Sequence, residues 1–88
     1  MELQELKNYL RVDTTMDDSL LISLKLSAET YILNAVENAE KVKVDERFKL
    51  AVALLVGSWY KNREAISDGN TQEIPFGVAS LIGQLRGV

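Results

Sequence analysis

The segment from Leu50 to Glu64 constrains this chain more than any other. Leu50 to Val56 is apolar without a break; after Gly57 and Ser58 come Trp59-Tyr60 and then Lys61-Asn62-Arg63-Glu64. The apolar run is far shorter than the ~20 residues that cross a bilayer. Coiled into a helix it is apolar on nearly all sides, and such a helix lies at the centre of a fold. The knot that follows places an amide, a guanidinium and a carboxylate side by side, a set suited to directed hydrogen bonds rather than to catalysis. Any fold of this chain therefore wraps its other elements around one helix.

The other elements announce themselves by helical spacing. Leu3, Leu6, Tyr9 and Leu10 recur at i, i+3, i+4 and predict a short helix over 2–10. A loop from Arg11 to Met16 follows, and Thr14, Thr15 and Asp17 are all capable N-caps. Leu20, Leu21, Leu24, Ala28, Tyr31, Ile32 and Ala35 predict a long second helix over 17–38, with Ser19, Lys25, Glu29 and Glu37 off the stripe. Glu40 to Val44 alternates polar and apolar but is too short for a confident strand and reads as a connecting loop. Asp45 caps the central third helix, 46–65, on which Phe48, Ala51, Val52, Leu55, Trp59 and Tyr60 share a face. Gly57 inside that helix costs ~1 kcal/mol against Ala, which points to close approach by a neighbouring helix. Ser67 to Gln72 is rich in turn residues. Pro75 then opens a fourth helix, 76–86, carrying Val78, Leu81, Ile82 and Leu85. The expected fold class is all-α: one four-helix domain spanning 1–88.

Composition excludes several functions. With 88 residues, 47% of them apolar and 26% charged, the chain forms one small domain that buries only roughly 64% of its extended surface. It has neither cysteine nor histidine, so disulfides, thiolate metal sites and the commonest general base are absent. The N-terminus, Met-Glu-Leu-Gln-Glu, has no secretory character. A net charge of −3 and a pI near 4.9 oppose tight binding of a nucleic-acid backbone, which calls for a basic face.

No motif carries chemistry. Asp17-Asp18 and Asp45-Glu46 are adjacent pairs whose side chains diverge on a helix; they suit the positive end of a helix dipole better than a metal. Asp68-Gly69-Asn70 lacks the frame of a calcium loop. Ser58 and Ser67 have no histidine to activate them, and nothing sets Lys61 beside either in a cleft. The expectation is no catalytic, cofactor or metal site. Aromatic residues beside an arginine at a helix end are typical of interface anchors. Trp59, Tyr60, Asn62, Arg63, Glu64, Ile74 and Phe76 are therefore the interface candidates, with a core role for Trp59 and Tyr60 equally open.

Taken in order, these segments resemble the phage head-tail connector family, also known as head-completion or DNA-packaging adaptor proteins. The resemblance runs over essentially the whole chain. It rests on Leu3-x-x-Leu6-Lys7-x-Tyr9-Leu10-Arg11-Val12-Asp13, on Asp17-Asp18-x-Leu20-Leu21 leading to Ala28-x-x-Tyr31-Ile32, on Trp59-Tyr60-x-Asn62-Arg63-Glu64, and on Ile74-Pro75-Phe76-Gly77-Val78 with Leu81-Ile82-x-Gln84-Leu85-Arg86. It implies a structural virion protein without enzymatic activity. Such a protein is a ring homo-oligomer beneath the portal that meets a downstream adaptor or tail protein, extends the DNA channel and helps retain packaged DNA. DNA passes through without specific binding, and no membrane is involved. The implied location is the virion, and the host cytoplasm during assembly. The segment Asn38 to Val44, short and polar here, varies in the family, so its contacts do not transfer. The second reading is a small helical regulator of DNA or of a partner protein. It calls for a helix with clustered Lys and Arg, and no helix here has one. A hydrolase, the third reading, requires an Asp/Glu metal site.

Overall fold

In the computed structural model of the chain, which describes residues 1–61 and 74–88, every regular element is a helix. These are α1 (Leu3–Leu10), α2 (Asp18–Asn34), α3 (Ala39–Lys43), α4 (Glu46–Lys61) and α5 (Phe76–Leu85). The all-α expectation holds. The four-helix count does not, because α3 occupies a stretch expected to be loop.

The first helix starts with the Glu2 backbone N–H donating to the Glu5 carboxylate at 3.2 Å, one arm of a capping box. It ends with Arg11 in the left-handed region, φ 59°. The Arg11 and Val12 N–H groups return to the carbonyls of Asn8 and Lys7. This is a Schellman closure with arginine where glycine is usual. The second helix stops at Asn34, four residues before the expected end, and Ala35 caps it. Asn38 then accepts from the Lys41 N–H through its side chain and starts α3, which fully buried Val42 pins to the core while Val44 faces solvent. Asp45 Oδ1 accepts the Arg47 N–H at 2.9 Å, the expected cap of α4.

The central helix is the most buried element: Phe48, Ala51, Val52, Ala53, Leu55, Val56 and Trp59 all lie inside. The others pack around it. Lys49 reaches Glu5, and a Cβ on Gly57 would stand 3.1 Å from Leu10 Cδ2, so α1 runs parallel to α4 and closes tightly on it. That is the close approach expected of Gly57. Arg47 reaches Gln84 and Gly77 faces Leu54, so α5 runs antiparallel. Both α2 and α5 pack chiefly on α4 and make at most marginal contact with each other. One apolar cluster joins Leu6, Leu21, Ile32, Val42, Leu55, Val78 and Leu85.

Three positions expected to be buried are corrected: Tyr9, Tyr31 and Leu50 are 48%, 44% and 43% exposed. The bulk of each tyrosine ring extends beyond the edge of a buried stripe that Leu6 on α1 and Ala28 and Ile32 on α2 already fill.

Candidate functional site

The candidate residues begin on the last turn of α4. Trp59 is 4% exposed and belongs to the core. Its indole Nε1 is buried with no hydrogen-bond partner among the described residues, an uncommon state for a buried donor. Trp59 also forms part of an open groove, of ≈ 520 Å³, whose described walls are Leu26, Ser27, Thr30, Tyr31 and Asn34 of α2. Tyr60 is half-buried, and its hydroxyl donates to Asp17 Oδ2. Ile74 packs at the edge of the core. Phe76, the first residue of α5, is 88% exposed. Asn62, Arg63 and Glu64 lie outside the described residues.

The adjacent aspartates at the start of α2 serve two neighbours. Asp17 takes the Tyr60 hydroxyl from α4. Asp18 Oδ1 lies 2.8 Å from the Nζ of Lys7 on α1, a lysine only 7% exposed. The contact is an ion pair, and the Asp18 Oδ1 that makes it is buried. Both carboxylates also sit at the positive end of the α2 dipole, as their sequence position predicts. Their cross-links were not legible in the sequence, because Lys7 and Tyr60 are remote along the chain.

Charge on the surface of α2 is distributed unevenly. Its charged residues are Asp18, Lys25 and Glu29, and all of them are partly covered. Lys25 donates to the Met1 carbonyl at 2.9 Å, and Glu29 faces the Met1 ammonium at 3.7 Å. Every exposed residue of the helix, from Ser19 to Asn34, is uncharged, and Ile22, Leu26 and Tyr31 are among them. The signal for this face was present in the sequence: Ile22 and Leu26 fall four apart on the side away from Leu21 and Leu24.

Elsewhere the electrostatics are those of helix ends. The Arg47 guanidinium, with its backbone N–H, holds the Asp45 carboxyl down at about 2. The Glu2 backbone N–H and then Lys49 lower Glu5. No group of acidic residues that could hold a metal ion occurs among the described residues, and no helix among them is long and apolar enough to cross a membrane.

A family model described as Phage gp6-like head-tail connector protein matches residues 1–86. No curated protein and no solved structure matches the chain.

Proposed function

The chain belongs to the phage gp6-like head-tail connector family, and from that premise we propose that it is one subunit of a ring between portal and tail. The family is structural rather than enzymatic, its place is the virion, and its members associate with portal and with head or tail proteins. In our reading the ring extends the DNA channel and helps retain packaged DNA, and the subunit passes through the host cytoplasm during assembly. The family match over 1–86 carries this proposal.

Physical features support it. A small subunit with a modest core gains by burying surface against copies of itself in a closed assembly. An acidic wall suits a conduit, since a basic one would grip DNA by counterion release. Trp59, Tyr60, Asn62, Arg63, Glu64, Ile74 and Phe76 remain the proposed contact residues. Among them exposed Phe76 meets a neighbour directly, and buried Trp59 acts by holding the surface in shape.

The test is imaging of the purified chain, alone and with the portal of the same particle, beside light scattering. Rings, or density added beneath the portal, are expected. A monomer at every concentration with no portal binding overturns the proposal; a monomer in isolation alone does not, because a template can supply the missing association energy.

A further inference from the structure

We propose that the subunits meet head to tail, the uncharged outer face of α2 in one copy receiving the uncharged outer face of α5 from the next, with Phe76 seated in the groove over Trp59. The proposal rests on the ring reading and adds which faces form the ring.

The first observation is charge. About a quarter of the chain is charged, yet every exposed residue of α2 and α5 is uncharged, and the three charged residues of α2 are partly covered. On α2 the charges are drawn to one edge and engaged by Lys7 and by Met1. The sequence of α5, Phe-Gly-Val-Ala-Ser-Leu-Ile-Gly-Gln-Leu, contains none. Depletion of charge marks the centre of protein interfaces. Two neutral faces complement each other, and each disfavours the charged remainder of the surface.

The second observation is shape. The exposed side of α5 carries Gly77, Ala79, Ser80 and Gly83, with Phe76 at its start and Gln84, which takes the Arg47 guanidinium, at its end. A Cβ placed on Gly83 would meet nothing, and one on Gly77 would only touch Leu54. Such a low track lets another helix come close. The α2 face offers the complementary relief, with Ile22 and Leu26 standing out at 42% and 55% exposure. At the end of the α5 track Phe76 projects almost wholly into solvent. The groove on α2 is larger than its ring and is walled by Leu26 and Tyr31.

The third observation is the buried Trp59 Nε1–H, which has no acceptor among the described residues. Trp59 also lines that groove, so part of the groove wall is a core side chain. Trp59 thus marks the groove independently of the charge pattern.

Topology decides the symmetry. Both α2 and α5 flank α4 and scarcely touch each other, so the two faces are separate surfaces of one molecule. A contact between different surfaces is heterologous, and repeated with a closing rotation it generates a ring. A face as long as α2 measures about 25 × 10 Å. That is on the order of 250 Å² per partner, against ~800 Å² in a standard interface. A single contact is therefore weak, and ring closure on a template makes it persistent.

The absence of cysteine makes the test clean. Leu26→Cys and Phe76→Cys are made singly and together in the full chain, then oxidised free at high concentration and after assembly with the portal. Disulfides form only across short Cα separations. The double variant is expected to give a ladder of dimers, trimers and larger species. Mixed single variants should stop at the heterodimer. Leu26→Cys pairing with itself would show α2 against α2 and overturn the proposal. Rings that image normally and cross-link through neither position overturn it while leaving the ring reading intact. No association under any condition removes the ring reading, and this proposal with it. A second set keeps misfolding apart from lost contact. Leu26→Lys and Ala79→Glu should each weaken association at least about tenfold with unchanged helicity and melting temperature, and the two together should recover part of the loss. Failure of either charge to affect association also overturns the proposal.

Discussion

Replacing Lys7 by methionine removes a charge while keeping the length of the side chain. Lys7 Nζ stands 2.8 Å from Asp18 Oδ1, with side-chain exposures of 8% and 32%. At that distance an effective dielectric of ~20 gives an attraction of about 6 kcal/mol, most of which offsets the cost of taking the ammonium out of water. Exposed pairs contribute ~0–1 kcal/mol and the breaking of fully buried ones costs ~3–5. This pair has one covered partner and one that water reaches, so Lys7→Met should cost about 2 kcal/mol. For a domain of this size that lowers the melting temperature by about 8–16 °C. Asp18→Ala should cost at least as much, because it strands a covered ammonium, whereas Lys7→Met leaves a carboxylate that the α2 dipole and water still favour. The double variant should recover at least ~1 kcal/mol relative to the sum of the two. Urea titrations followed by circular dichroism measure all three. Strictly additive losses, or a neutral Lys7→Met, would refute the view that this pair clamps α1 to the start of α2.

Acid should weaken the fold in a defined window. Asp45 is lowered from its ordinary 3.8 to about 2, chiefly by the Arg47 side chain, and Glu5 is lowered from 4.5, chiefly by the Glu2 N–H. Depressed carboxyls stabilise above their unfolded values and lose that contribution as pH falls through the folded ones. Melting temperature should therefore decline from pH ~4.5 downward, and Asp45→Asn should flatten the part below pH ~3.8. At Gly57, alanine gains up to ~1 kcal/mol of helix propensity and displaces only the tip of half-buried Leu10. Gly57→Ala should thus leave melting unchanged or raise it, whereas Gly57→Leu should destabilise by ~1–3 kcal/mol through overpacking. Trp59→Ala removes a buried aromatic at ~3–5 kcal/mol and should unfold much of the population, while Arg63→Ala should keep helicity and weaken rings. Equal melting losses for those two would place Arg63 in the fold rather than at a contact.

How far the sequence could be read depended on how many turns each pattern had in which to repeat. Over four turns of α4 the apolar residues surround the helix, and centrality followed from that alone. The tight seat of Gly57 against α1 also followed, since an interior glycine needs a compensating reason. The five residues of α3 are too few for periodicity to register. The element exists because Asn38 caps it and Val42 finds a pocket in the core, and only the second of these is tertiary. The end of α2 was set too late for a related reason: Glu37 and Asn38 continue a helical composition, but Asn38 is used to begin the next helix. The ion pair of Lys7 with Asp18 and the hydrogen bond of Tyr60 to Asp17 depend on chain segments brought together by packing, and no local signal encodes them.

The misread tyrosine on α2 has a more instructive cause. Tyr31 reads as core because it falls beside Leu24 and Ala28 in a helical projection, and a stripe read from sequence does not show where its buried part ends. Helix α2 also has a second apolar face. Leu21, Leu24, Ala28 and Ile32 fill the inner one, Ile22 and Leu26 stand on the outer one, and Tyr31 lies at the border of the inner one. A monomeric domain would place Lys and Glu on that second face, as α4 does at Glu46, Lys49 and Lys61, three of its four exposed positions, Leu50 being the fourth. Here the lysine and glutamate of α2 lie instead at its edge against Met1, where they secure the start of the chain. Charge has thus been kept off the exposed positions of this face, which none of the described residues covers. Exposed apolar residues taken singly are ordinary. Their joint occurrence with uncharged exposed positions along α2, repeated on α5 across the core, is what the proposed head-to-tail packing requires.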